Sequence, residues 1–327
     1  MKLLISNFSS QLEQALNIGR GAKLTPSQHV ISNVLICGLG GSGIGGTIVS
    51  ELVAAESRIP INVSKTYFIP SYVNQHTLVI ISSYSGNTEE TIKTLELALE
   101  KNAKVVCVTS GGQIQDIANA KGLDMIIIPG GMPPRACLGY SLTQLFFILK
   151  FNEIIGGSFE AKFSASIALI NKEEGAIKQE AMKVAGMLEN KIPIIYTTTY
   201  NEGIAIRFRQ QINENAKMLC WHHVFPELNH NELVGWVEKN ESLAIIIFRD
   251  KEDYARNQTR IEISKKVFSK YTPHIIEVFS KGTSNIENAI YLIHLADWTS
   301  YFLAEKKGID SVEVSIINHL KSELAKS

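Results

Sequence analysis

Short apolar runs of strand length alternate with stretches of helical pattern along almost the whole chain, and this alternation is the strongest constraint on its fold. The strand candidates of the first half are Asn33–Cys37, Ile61–Val63, Leu78–Ile81, Lys104–Thr109 and Met125–Ile128. Helices are predicted over residues 6–18, 43–55, 88–101 and 113–121, and a long helix is predicted to begin at Pro133-Pro134. Strands that are apolar on both faces are typical of a parallel sheet covered by helices, so we predict an α/β protein.

The same alternation restarts in the second half of the chain. Strands are predicted at Pro193–Thr198, Leu243–Phe248 and His274–Val278, and helices over residues 173–189, 202–217, 251–269, 285–304 and 312–325. We therefore expect two similar subdomains, residues 1–155 and 156–327, each a parallel sheet flanked by helices. The most linker-like segment is GGSFEAKFSAS, residues 156–166, and because it is short we expect packed halves rather than tethered domains.

Charge, hydropathy and cysteine spacing exclude several classes of protein. Lys plus Arg and Asp plus Glu number 32 each, so the chain lacks the basic field that binds nucleic acid or anionic lipid. No apolar stretch reaches the roughly 18 residues of a membrane span, and the N-terminal apolar stretch is too short for a secretory signal. We expect a soluble cytoplasmic protein with buried thiols rather than disulfides or a zinc site, the four cysteines being Cys37, Cys107, Cys137 and Cys220.

A glycine-rich segment, GLGGSGIGG, follows the first predicted strand. Its Gly38-x-Gly40-x-x-Gly43 spacing resembles a dinucleotide-binding fingerprint, but the second strand ends in Asn-Val-Ser-Lys-Thr without the acidic residue that would bind a ribose. The segment also lacks the Gly-Lys-Ser/Thr ending of a P-loop. A turn that only packs a helix tightly on the sheet is the alternative interpretation.

A second loop, SSYSGNTEET, follows the strand Leu78–Ile81. Ser83, Ser85 and Thr88 can direct hydroxyls towards one point, and the next helix adds backbone N–H donors. Such a set suits a dianionic phosphate monoester, with Ser42 of the glycine-rich segment as a second wall. Capping of the helix by Ser85 or Asn87 would explain one of these side chains but not the cluster.

Three further residues are candidates for chemistry. Arg135, in GMPPRACLGYS after the fifth strand, can hold negative charge that develops on a substrate oxygen; alternatively it only covers the start of a helix. Glu214 lies in a last helical turn, where the negative end of the helix dipole favours a protonated carboxyl, so it is a candidate proton acceptor. A solvated helix-end glutamate is the alternative.

His230 lies in the polar segment PELNHNE, where no apolar face requires a histidine, and it can exchange protons near neutral pH. A metal site is an alternative interpretation of this region. The ligands of such a site would be His222, His223, His230 and Glu227. The spacing of these histidines matches no standard helical ligand spacing.

The motifs together resemble a known family. SSYSGNTEET behind a strand, with GLGGSG before it, closely resembles the sugar isomerase (SIS) domain. Over nearly the whole chain the order and spacing of five motifs resemble the bifunctional phosphoglucose/phosphomannose isomerase family, which is built from two SIS subdomains. These motifs are Gly40-Gly-Ser-Gly43, Ser83-Tyr-Ser-Gly-Asn-Thr88, Pro133-Pro-Arg135, Asn213-Glu-Asn215 and Leu228-Asn-His-Asn231.

This resemblance implies an activity and a set of roles. The chain would interconvert glucose 6-phosphate, and also mannose 6-phosphate, with fructose 6-phosphate, with no metal or nicotinamide. Glu214 would move hydrogen between C1 and C2, Arg135 would steady the cis-enediolate, and His230 would assist ring opening with Lys321 of NHLKSEL. Gly41 and Gly43 would belong to the substrate loop. The family also implies a homodimer in which His230 completes the neighbouring site.

Three rival functions are less consistent with the sequence. A non-catalytic SIS phosphosugar sensor would need a partner-binding domain, and both halves are taken up by the α/β pattern. An NAD-dependent dehydrogenase lacks its ribose-binding acid. A glucosamine 6-phosphate synthase would carry a glutaminase with cysteine at position 2, where this chain has Lys2.

Overall fold

Two parallel sheets flanked by helices make up the computed structural model, which describes residues 1–324 and 326 of the chain. The first sheet contains β1 (Asn33–Cys37), β2 (Ile61–Ser64), β3 (Thr77–Ser83), β4 (Lys104–Thr109) and β5 (Asp124–Ile127). The second sheet contains β6 (Ile192–Thr198), β7 (Trp221–Phe225), β8 (Leu243–Arg249) and β9 (Ile275–Phe279). The predicted α/β class with two parallel sheets is confirmed.

The helices lie between the strands in chain order. They are α1 (Lys2–Ser6), α2 (Phe8–Gly21), α3 (Gly40–Leu52), α4 (Glu89–Glu100), α5 (Gly112–Lys121), α6 (Leu138–Phe151), α7 (Phe159–Leu188), α8 (Glu202–Ala216), α9 (Ala255–Phe268), α10 (Asn285–Lys306) and α11 (Ser315–Leu324). Short 3-10 turns span Pro134–Ala136, Thr199–Asn201, Glu227–His230 and Glu232–Gly235. No described helix is both long enough and apolar enough to cross a membrane.

The described chain forms two compact units. The N-terminal unit comprises residues 6–172 and 281–291, and the C-terminal unit comprises residues 1–5, 173–280 and the described residues from Leu292 onward. The boundaries of these units differ from the predicted boundary between residues 155 and 156. That boundary separates two sequence-based subdomains rather than two compact units, and it stays a prediction.

The strand order of the N-terminal unit determines where a ligand can bind. The order is β2-β1-β3-β4-β5 with all pairs parallel, and every residue of the central strand β3 is buried. Because the chain continues from β1 to β2 on one side and reaches β3 on the other, the loops after β1 and β3 diverge and leave a crevice at the carboxyl ends of the strands. The glycine-rich segment follows β1, and residues 83–88, called the SYSGNT loop below, begin at the end of β3.

The C-terminal unit repeats this arrangement with four strands. Its order is β7-β6-β8-β9, again parallel throughout, so the corresponding crevice lies between the loops after β6 and β8. The apolar side chains of its strands pack with those of the neighbouring helices and turns in a core that includes Ile194, Ile245, Phe225, Ile261 and Phe268.

The structure corrects three local predictions. The segment predicted as a linker is helical from Phe159 onward, because Phe159, Phe163 and Ile170 recur at helical spacing and are buried. The helix predicted from Pro133-Pro134 begins only at Leu138, after the separate 3-10 turn. Strand β7 was not predicted, because it begins with Trp-His-His and so lacks the apolar run by which the other strands were recognised. It lies at the edge of its sheet.

All four cysteines are free thiols in the structure, and three of them are buried. Burial raises the pKa of both Cys37 and Cys107 to about 12, so these thiols stay protonated and pack as small apolar groups. Their predicted burial is confirmed, and Cys220 is half-buried.

Candidate functional site

Hydroxyl side chains gather where β3 ends. Ser83 is the last residue of β3 and is buried, and its Oγ hydrogen-bonds the Oγ1 of Thr88 at 3.0 Å, where either oxygen can be the donor. Thr88 stands directly before α4, so the pair lies at the start of that helix. Two of the predicted hydroxyls are therefore brought together at a helix N-terminus, which favours an anion.

Ser42, at the start of the helix that follows β1, contacts the backbone of the loop after β3. It lies in the first turn of α3 and is buried, and its Oγ accepts a hydrogen bond from the backbone N of Tyr84 at 2.9 Å. Gly43 packs so tightly on Gly38 that a Cβ would stand 2.2 Å from the Gly38 carbonyl oxygen. The glycines thus pack the start of α3 against the strand end, and the same packing places Ser42 beside the SYSGNT loop.

Gly86 fixes the shape of the SYSGNT loop. Its φ is +67°, and a Cβ there would stand 1.7 Å from the carbonyl oxygen of Gly111. The loop after β3 therefore rests against the loop after β4, and only glycine allows that approach.

Ser85 and Asn87 lie on the exposed side of the same loop. The Oγ of Ser85 accepts from the backbone N of Asn87 at 3.2 Å, and the Oδ1 of Asn87 accepts from the backbone N of Gln113 at 3.0 Å. Thr88 occupies the position before α4, and within the described chain no side chain caps that helix by a hydrogen bond. The capping expected of Ser85 or Asn87 is therefore not found; both side chains brace the loop instead.

Arg135 lies in the 3-10 turn after β5, and only 4% of its surface is exposed. A Cβ on Gly41 would stand 3.0 Å from the backbone N of Arg135, so glycine at this position lets the start of α3 approach the arginine segment closely. The structure thus brings together Gly41 and Arg135, two residues that the family resemblance assigns to one site.

Glu214 lies in the last turn of α8, as predicted, and the structure shows that it is half-buried. The helix ends at Ala216, and the next residue, Lys217, adopts a left-handed conformation with φ of +53°. The Nζ of Lys217 donates to the carbonyl oxygens of Glu214 and Glu313, each at 2.6 Å. Lys217 therefore ties the helix end that carries Glu214 to the segment just before α11, the helix that carries Lys321.

His230 ends the 3-10 turn Glu227–His230, and its side chain is exposed. Asn231 organises this turn: its Nδ2 donates to Glu227 Oε1 at 2.8 Å, and its Oδ1 lies 3.1 Å from the Nε2 of His223. Lys321 lies in the last turn of α11, on an exposed stretch of helix.

The histidines of this region do not gather. His222 faces Glu202, with 3.7 Å between Nε2 and Oε1, whereas His223 faces Asn231, as expected for neighbours on a strand. Among residues 1–324 and 326, no group of three or more His, Cys, Asp and Glu side chains is placed to hold a metal ion.

The corresponding crevice of the C-terminal unit holds a carboxylate of the chain itself. Asp253 Oδ1 accepts from the Oγ1 of Thr198 at 2.8 Å, and its Oδ2 accepts from the backbone N of Asp250 at 3.0 Å. Burial raises the pKa of Asp253. The hydroxyl of Thr198 and the backbone N–H of Asp250 are therefore already bonded to the carboxyl group of Asp253. An anion would have to displace that carboxyl group, so the hydroxyl cluster of the N-terminal unit is the better candidate for an anion site. Sequence reasoning missed Asp253, because only the fold shows which turn faces Thr198.

Known proteins with similar sequences place the chain in a family. A model of the SIS domain matches residues 32–130, and a model of the bacterial phospho-glucose isomerase C-terminal SIS domain matches residues 177–324. The bifunctional phosphoglucose/phosphomannose isomerase of Caldicellulosiruptor bescii is 37% identical, with 98% of each chain covered. The enzyme of the same description from Aquifex aeolicus is 35% identical over 93% of this chain and 92% of its own.

The chain belongs to the bifunctional phosphoglucose/phosphomannose isomerase family. Its fold is also found in the C-terminal domain of glucosamine-fructose-6-phosphate aminotransferase from Francisella tularensis, with a TM-score of 0.72, 14% identity and coverage of 95% and 96% of the two chains. That likeness concerns the fold alone, because the same fold supports different reactions.

Proposed function

We propose that this chain is an aldose–ketose isomerase that interconverts glucose 6-phosphate with fructose 6-phosphate, and that it accepts mannose 6-phosphate as well. The observation that carries the proposal is sequence identity of 37% over 98% of the chain to a bifunctional phosphoglucose/phosphomannose isomerase. The partly buried hydroxyl pair of Ser83 and Thr88 at the crevice of the first sheet supports it, since such a pair suits a phosphate monoester.

In this proposal the 6-phosphate binds to the hydroxyls of the SYSGNT loop and to the first backbone N–H groups of α4. The phosphate ligands are Ser42, Ser83, Ser85 and Thr88, with Gly41 and Gly43 in the substrate loop. Of these, the exposed Ser85 is engaged with the backbone of Asn87 and would have to turn towards the ligand.

The chemistry is a proton transfer between two neighbouring carbons. Lys321 and His230 move the protons that open the sugar ring. Glu214 then removes the proton from C2 of the aldose and delivers it to C1 through a cis-enediolate, while Arg135 stabilises the negative oxygen of that intermediate. Acceptance of both C2 epimers requires that one base reach either face of the enediolate after a rotation of the bound sugar.

The assembly and the location of the chain are also proposed. The family resemblance supports a homodimer in which His230 completes the neighbouring site, and light scattering on purified protein would measure the mass directly. A cytoplasmic location follows from the substrate, because a dianionic hexose phosphate does not cross a lipid bilayer unaided.

A coupled assay tests the activity. Purified protein is given glucose 6-phosphate or mannose 6-phosphate, and fructose 6-phosphate is measured. We expect turnover of glucose 6-phosphate and of mannose 6-phosphate. Binding of either sugar phosphate without any fructose 6-phosphate would contradict the proposal and favour the rival function, a non-catalytic phosphosugar sensor.

A further inference from the structure

Tyr84 is the one bulky side chain in the middle of the hydroxyl-rich loop, and 8% of its surface is exposed. Its backbone links two other loops. The backbone N donates to Ser42 Oγ at 2.9 Å, and its carbonyl oxygen accepts from the backbone N and the Oγ of Ser110 at 3.0 and 2.6 Å. The loops after β1 and β4 are therefore both tied to the backbone of Tyr84.

The side chain of Tyr84 reaches a third segment, the one that carries Arg135. Its hydroxyl oxygen accepts from the backbone N of Met132 at 3.1 Å. Burial, and next a hydrogen bond to the thiol of Cys137, raise the pKa of Tyr84, so the hydroxyl stays protonated and can donate to that sulfur. Met132 and Cys137 stand on either side of Arg135 in the chain.

The segment that carries Arg135 has few backbone N–H groups near its start. Pro133 and Pro134 have no N–H, so the N–H of Met132 is the last one before Arg135. Since that donor is used by Tyr84, the tyrosine hydroxyl determines where the segment begins. Removing the hydroxyl would loosen the arginine segment, whereas the bonds from the Tyr84 backbone to Ser42 and Ser110 would remain.

We propose that Tyr84 is a positioning residue whose hydroxyl holds the Arg135 segment in place against the phosphate-binding loops. The inference rests on the proposed function, in which Arg135 stabilises the enediolate. The Tyr84 hydroxyl is thereby assigned to the chemical step rather than to phosphate binding. Of the contacts described above, only those with Met132 and Cys137 depend on the hydroxyl, whereas Ser42 and Ser110 bond the Tyr84 backbone.

The test compares Tyr84→Phe with Tyr140→Phe. Tyr140 is a matched control, since it is buried in the same unit and its hydroxyl donates to Gln14 Oε1 of α2 at 2.6 Å rather than to the arginine segment. We expect Tyr84→Phe to lower kcat by about tenfold or more, because small misplacements of catalytic groups are costly, with KM changed by less than about twofold. Tyr140→Phe should leave kcat and KM within about twofold of the parent values.

Three outcomes would overturn the proposal: an unchanged kcat in Tyr84→Phe, a change confined to KM, or an equal loss of kcat in the control. A double-mutant cycle with Arg135→Ala adds a sharper requirement. If the hydroxyl acts through Arg135, Tyr84→Phe should have no further effect on kcat in the Arg135→Ala background, and a fully additive loss would contradict the proposal.

Hydrogen–deuterium exchange provides a measurement that does not depend on activity. The peptide that covers residues 131–137 should exchange faster in Tyr84→Phe than in the parent, and Tyr140→Phe should not change it. If Tyr84→Phe fails to fold, Cys137→Ala removes the thiol partner instead and should speed the same exchange. Unchanged exchange would overturn the inference, whereas an inactive parent protein would refute the proposed function alone.

Discussion

At the scale of single residues, Gly86 carries the strictest steric requirement among the glycines that follow β1 and β3. We expect Gly86→Ala to cost about 1–2 kcal/mol for its left-handed backbone. The overlap with the Gly111 carbonyl oxygen, 1.7 Å from the added Cβ, should add about 1–3 kcal/mol more. Chemical denaturation measures the loss of unfolding free energy.

Gly40 is the matched control for this prediction. Its φ is also positive, at +51°, but apart from its chain neighbours and the nearby backbone of its own helix no described atom lies within 4 Å of the added Cβ. Gly40→Ala should therefore cost only the backbone term of about 1–2 kcal/mol. Equal losses in the two variants would show that the contact with Gly111 does not constrain the loop.

Glu214 is the residue on which the proposed proton transfer depends. Because an amide cannot accept the proton, Glu214→Gln should lower kcat by about 10²–10⁴-fold, the usual contribution of a general base. Binding of fructose 6-phosphate, measured by titration calorimetry, should remain. Glu202→Gln, at the other end of α8, should keep its activity; comparable activity in both variants would remove Glu214 from the mechanism.

The sequence predicted part of the candidate site and missed the rest for a physical reason. The adjacency of Ser83 and Thr88 follows from their places before and after a short loop, and the structure brings them together. The exposure of Ser85 and the contacts of Tyr84 depend on which loops pack against one another, which the sequence does not show. The roles of all these residues in phosphate binding and catalysis stay predictions.

At the scale of helices and strands, a buried ion pair joins α8 to α10 within the C-terminal unit. Arg207 Nη2 donates to Asp297 at 2.7 Å, and Gln211 Nε2 donates to the same carboxylate at 2.7 Å. Asp297→Asn should cost about 3–5 kcal/mol, because it leaves a buried guanidinium without its counter-charge. Thermal or chemical denaturation measures the loss.

A surface ion pair of the same unit serves as the control for Asp297→Asn. Glu189 pairs with Lys306 at 3.0 Å, and both side chains are more than one third exposed. Glu189→Gln should cost less than about 1 kcal/mol, because solvent screens exposed pairs. A loss for Asp297→Asn as small as this would show that the buried pair adds little to stability.

Most strands were predictable because their central residues form an unbroken apolar run, as in residues 34–37 of β1, 78–81 of β3 and 105–108 of β4. β7 was not, since an edge strand covers less core and tolerates the Trp-His-His start. The helix α7 begins at Phe159, earlier than the predicted residue 173. The Gly-Gly-Ser before Phe159 indicated a linker, although the apolar residues after it recur at helical spacing.

At the scale of the whole molecule, the restarted alternation of strands and helices correctly predicted two parallel sheets. It did not identify a reaction, because the fold is shared with an aminotransferase domain. The motifs at the carboxyl ends of the strands, with the family match over 98% of the chain, narrow the function to sugar phosphate isomerisation.

Isomerisation of glucose 6-phosphate in D₂O, followed by ¹H NMR, tests the central claim most directly. We predict that fructose 6-phosphate forms and that, over many turnovers, deuterium enters C1 of the ketose and C2 of the recovered aldose, because a carboxylate base exchanges its proton with solvent. Spectra that show no fructose 6-phosphate, or a ketose that stays free of deuterium after prolonged incubation, would contradict the account.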